Sequence, residues 1–124
     1  MRIFYLIFSF VLFFSFSLSA ESGSGKDIFD RYCTVCHSPA MAPMFGAPAE
    51  KDLSAWSERK KLAYDRAVQK NTVVADKSKD WNSVNELLES AKTGTDKGMP
   101  PKGTCNDCSD ENLVSVIEFM SSSE

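Results

Sequence analysis

The sequence predicts a small all-α domain. Three observations carry that prediction. Four segments place apolar residues at helical spacing, strand alternation is nearly absent, and the joining segments are rich in proline and glycine. The one β-branched run, TVVAD at 72–76, is short and bordered by charge.

Ahead of the first helix, Arg2 precedes an apolar block, IFYLIFSFVLFFSFSLSA, that holds six of the nine phenylalanines. A short positive start, an apolar middle and a small-residue end form a secretory leader, read as residues 1–20, with the domain at 21–124. Cleavage falls after Ser19 or Ala20, and an uncleaved membrane anchor is the alternative. Removing the leader takes away Arg2 alone, which moves the formal charge from −3 to −4. No basic patch points to nucleic acid. A core of this size gains from a cofactor or a disulfide. Export puts the four cysteines in an oxidising compartment.

The first helix follows from Gly25, Ile28, Phe29 and Tyr32, whose spacing puts them on one face leading into CTVCH at 33–37. The second, over about 54–70, has a weaker face of Trp56, Ala63 and Ala67 among many charges. The third carries the stripe Val84, Leu87, Leu88 and Ala91, opened by a Ser83–Glu86 capping box and closed by Lys92 and Gly94. The last begins at Ser109-Asp110-Glu111, an acidic turn suited to the positive helix end, and buries Leu113, Val116, Ile117 and Met120. Between them run SPAMAPMFGAPAE at 38–50 and TGTDKGMPPKGT at 93–104, long irregular stretches of the kind that wrap a ligand.

CTVC at 33–36 and CNDC at 105–108 raise three chemistries. A four-cysteine zinc site is disfavoured, because 68 residues separate the pairs and His37 is left without a role. A thiol–disulfide oxidoreductase places its pair at a helix start on a βαβ scaffold, whereas CTVC ends a helix and that scaffold is missing. Cys-x-x-Cys-His as a haem c attachment site accounts for every residue. Cys33 and Cys36 form thioethers to one haem, and His37, the only histidine, binds its iron from the proximal side. The sixth ligand then comes from the five methionines. Met99 fits best, since KGMPPKG is unperiodic and Pro100-Pro101 stiffen the backbone beside it. Met41 and Met44 follow His37 too closely, and Met120 belongs to a helix face. Histidine–methionine ligation raises the potential and fills both axial positions, which favours electron transfer over catalysis.

Taken together, these residues resemble the class I cytochromes c, most closely the cytochrome c5 branch. GKDIFDRYCTVCH is similar to that family's N-terminal helix, APMFG followed by Trp56 to the stretch after its haem motif, and GMPPKGTCNDCSDENLVSVIEFM to the segment running from its methionine ligand into the last helix. The resemblance implies about four helices wrapped around one covalent haem, with Gly25 and Phe29 packed on Phe119. It implies that a proline carbonyl, Pro43 with Pro48 as second choice, accepts a hydrogen bond from His37. It also implies a Cys105–Cys108 disulfide that stiffens the turn after Met99, and a tryptophan, Trp56 or Trp81, at a haem propionate. Residues 63–81 make the chain longer than compact members, either as an extra helix and loop over the haem edge or as a solvated insertion.

The expected function is that of a periplasmic one-electron carrier in a respiratory chain, not an enzyme. Its expected partners are redox proteins, a membrane-bound donor and a terminal oxidase or reductase, with no small-molecule substrate. Lys97 and Lys102 flank Met99, where they could guide an acidic partner. The alternative is a haem subunit of a redox enzyme, weakened by the absence of a second haem motif or a distal histidine.

Overall fold

The computed structural model describes residues 23–70 and 83–123, so the leader, the TVVAD run and Trp81 lie outside the described residues. Within them, every regular element is helical. In chain order these are α1 (Gly25–Ile28), a π-helical segment (Phe29–Cys33), α2 (Thr34–His37), α3 (Ala42–Phe45), α4 (Leu53–Gln69), α5 (Ser83–Thr93), a 3₁₀ turn (Pro101–Thr104) and α6 (Asp110–Ser121). No described helix is long and apolar enough to cross a membrane.

α1, the π segment and α2 follow one another without a break. Ser24 caps the start: its hydroxyl accepts from the Asp27 amide at 3.2 Å, and the Asp27 carboxylate accepts from the Ser24 amide at 3.3 Å. Gly25 lies directly on α6. A Cβ there would fall 2.3 Å from the Ser115 carbonyl oxygen, so the two helices can cross this closely only at a glycine. Beside the crossing, the Phe29 and Phe119 rings pack with centroids 5.5 Å apart, within a core that includes Ile28, Leu113, Val116 and Met120.

Helical spacing predicts that Tyr32 shares this buried face, yet Tyr32 is 39% exposed. The π segment supplies the reason. The Thr34 amide and hydroxyl both donate to the Phe29 carbonyl five residues back, the hydroxyl at 2.8 Å. One extra residue in a turn rotates everything after it by about 100°. Cys33, and not Tyr32, is therefore the residue packed against the core.

On α4 the expected face of Trp56, Ala63 and Ala67 is buried. This helix continues to Gln69, so the first part of the 63–81 excess is the end of an ordinary helix packed on α5. The stripe on α5 is shallower than predicted: Leu87 and Leu88 are only partly buried, while Glu86 is buried. Glu86 does not close a capping box, because Ser83 is already helical; its carboxylate accepts from Lys70 Nζ at 3.0 Å, across to the end of α4. Lys92 on α5 reaches Asp110 at the start of α6 at 2.9 Å. α6 opens with a Ser109–Asn112 capping box and buries Leu113, Val116, Ile117 and Met120, as its periodicity predicts. Its C-terminal carbonyls are met by the Lys51 amide, 2.7 Å from the Met120 carbonyl, and by Lys60 Nζ at Ser121.

Candidate functional site

The π segment and α2 carry CTVCH. Cys33 and Cys36 are both half-buried and not bonded to each other. Burial, with the neighbouring Cys36 adding to it, pushes the Cys33 thiol up to about 11. A thiol–disulfide catalyst needs the opposite shift, so the redox-dithiol reading has no support at this pair.

His37 ends α2 and is buried, with 8% of its surface exposed. Its Nδ1 lies 2.8 Å from the Pro48 carbonyl oxygen. A carbonyl can only accept, so Nδ1 carries the proton and Nε2 is left with its lone pair, the form a metal binds. Burial lowers the affinity of the ring for a second proton. The Pro48 carbonyl works against that shift, and the Arg59 charge adds to it. The imidazole is therefore neutral at neutral pH.

The expectation that Pro43 accepts this hydrogen bond is corrected, because the partner is Pro48. Pro43 lies in the first turn of α3, where its carbonyl follows the helix axis. Gly46 then ends that helix in the left-handed conformation, φ 62°, and turns the chain back so that Pro48 passes the His37 ring. The return is tied down by the Glu50 amide, which donates to the His37 carbonyl at 2.7 Å.

Trp56, expected at a haem propionate, lies beside His37. Its ring lies near-parallel to His37, centroids 6.2 Å apart and planes 21° apart. Its indole N–H donates to the Ala49 carbonyl at 2.8 Å. With that donor engaged, Trp56 backs the histidine and holds the 46–50 loop in place. Trp81, the other candidate, lies outside the described residues.

Met99 is half-buried in a turn that follows α5. The Thr95 amide donates to the Met99 carbonyl at 3.0 Å, and the Met99 amide donates to the Thr95 hydroxyl at 3.3 Å. Gly94, at φ 79°, lets this turn close: a Cβ there would sit 2.7 Å from the Met99 carbonyl oxygen. Beyond Pro100-Pro101, Cys105 and Cys108 are joined by a disulfide and both buried. The Lys102 Nζ is engaged within the chain, donating to the carbonyls of Cys108 at 2.8 Å and Asn106 at 3.3 Å. Lys97 remains exposed.

Sequence reasoning missed the turn made by Thr95 and the clamp made by Lys102. The only trace of either was their closeness to Met99. No group of three or more His, Cys, Asp or Glu residues among the described residues is placed to hold a metal ion, so the two cysteine pairs do not form a zinc site. The donor set fits a haem instead: two adjacent thiols, a neutral imidazole with its outer nitrogen pinned, and a thioether on a closed turn.

Comparison with known proteins agrees. The family profile described as "Cytochrome C oxidase, cbb3-type, subunit III" matches residues 20–120. A cytochrome c5 of Ectopseudomonas mendocina is 36% identical over 105 residues, covering 85% of this chain and 95% of the relative. A cytochrome c5 of Azotobacter vinelandii is 34% identical over 98 residues, covering 79% and 92%.

Proposed function

Because the chain belongs to the cytochrome c family, we propose that it is a periplasmic one-electron carrier in a respiratory chain, with one haem c held by Cys33 and Cys36 and ligated by His37 and Met99. Family membership by itself makes the protein a c-type cytochrome, an electron-transfer protein whose partners are redox proteins. When bound, the haem supplies a one-electron iron couple. The chain's own residues do the rest. Cys33 and Cys36 anchor, so that a small core need not enclose the group by packing alone. His37 presents Nε2, and Pro48 and Trp56 fix its ring. Met99 would offer the iron a neutral thioether, a ligand that favours the reduced form.

The observation that carries this reading is the hydrogen bond from His37 Nδ1 to the Pro48 carbonyl. It selects the tautomer and ring orientation needed for ligation, immediately after the cysteine pair. An intact mass of protein matured with haem tests it. One covalent haem on a chain lacking its leader is expected, whereas a haem-free mass would contradict the reading. The proposed partners are a membrane-bound donor and a terminal oxidase or reductase. A second reading rests on the description of the matching profile, which names an oxidase subunit. Under it the chain serves as the haem subunit of a larger enzyme, and it would co-purify with that enzyme in fixed stoichiometry. The relatives, matched over 95% and 92% of their own length, favour the separate carrier.

A further inference from the structure

We propose that Lys102 is a positioning residue for Met99, acting as a clamp that holds a left-handed turn between that methionine and the last helix; this rests on the reading of Met99 as the distal ligand. The backbone supplies the first argument. Lys102, Gly103 and Thr104 all have positive φ, at 55°, 57° and 72°. Only Gly103 is free of a steric penalty there, so two of the three residues are held against their own preference. Such a conformation persists only where the surroundings over-determine it.

Lys102 supplies much of that determination. Its carbonyl accepts from the Cys105 amide at 3.0 Å, while its ammonium donates to the Cys108 carbonyl at 2.8 Å and to the Asn106 carbonyl at 3.3 Å. One residue therefore grips the disulfide loop from both of its ends. A charge-assisted bond to a carbonyl is stronger than a neutral one.

The clamp reaches Met99 through a stiff path. The Gly103 amide donates to the Pro100 carbonyl at 3.0 Å, and Pro100 and Pro101 have their φ locked by their rings. A shift at Lys102 is passed to Met99, since little between them can absorb it. On the other side, the turn lies on the π segment: a Cβ on Gly103 would be 4.0 Å from the Tyr32 carbonyl, one residue before Cys33. The same clamp thus ties the distal loop to the helix that carries the proximal motif.

The test uses the haem-loaded full-length protein and imidazole as a competing ligand for the ferric iron. Lys102→Gly removes the ammonium but suits positive φ better than lysine, so backbone strain and clamp are separated. If the clamp positions Met99, Lys102→Gly binds imidazole about tenfold more tightly, on the scale of one charge-assisted hydrogen bond. Its methionine–iron charge-transfer band weakens in parallel, and Lys102→Arg, which keeps a donor, stays near wild type. Should Lys102→Gly fail to mature, Lys102→Met, which keeps the stem without the charge, carries the same expectation. Wild-type imidazole affinity in the glycine or methionine variant overturns the proposal, even if denaturant stability falls, because the role is then only structural. Met99→Ala is the control. If it binds imidazole tightly while the Lys102 variants do not, the clamp fails alone; if it too is unchanged, the ligand assignment itself fails.

Discussion

His37 and Met99 stand 62 positions apart and are held by different means. His37 ends a run of helix whose other end is pressed onto α6 at Gly25 and Phe29. Its ring is buried, stacked on Trp56 and bonded to Pro48. Met99 lies in a segment without regular helix, held by the Thr95 turn, two prolines, the Lys102 clamp and a disulfide. Proximal order is therefore part of the global core, whereas distal order is a sum of local closures. Perturbation should open the distal side at a free energy below that of unfolding, and the proximal side only together with the fold.

Substitutions separate the two regimes. The largest effect is expected for His37→Ala. The yield of low-spin holoprotein should fall by more than the roughly 10–100-fold typical of losing a ligand's hydrogen-bond partner, as read from the absorption spectrum after maturation. Next is Met99→Ala, which should keep its haem and its helical circular dichroism. Its potential should drop by about 59 mV for each tenfold loss of preference for the reduced iron, as measured by voltammetry. Gly25→Val forces a Cβ onto the Ser115 carbonyl and should lower denaturant stability by about 1–3 kcal/mol. It should leave the potential unchanged, and a shift in potential without a stability loss would reverse the roles given to the two regions. The stability loss for Cys105→Ser combined with Cys108→Ser should be no larger than that of Gly25→Val. Loop closure over so few residues is worth roughly 2 kcal/mol, but imidazole binding at the iron should rise, because the loss falls on the distal loop.

Much of this was legible in the sequence, for identifiable reasons. Helix faces on α4 and α6 follow from simple periodicity, and Trp56, Ala63, Ala67, Leu113, Val116, Ile117 and Met120 are all buried. CTVCH could be read because its residue types and spacing leave few chemistries. Tyr32 misled because the π segment inserts a residue, and Thr34, whose hydroxyl bonds five residues back, carries no warning of that in its type. Resemblance favours Pro43 over Pro48, but the choice depends on where α3 stops, which Gly46 decides by adopting positive φ. Lys102 looked like a surface charge because its carbonyl partners are backbone, and backbone partners leave no trace in a sequence.

The central claim is that Met99 closes the site opposite His37, and carbon monoxide binding to the reduced protein tests it most directly. Wild type should not bind the gas, and Met99→Ala should bind it readily. Binding by the wild type, or its absence in Met99→Ala, would contradict the claim.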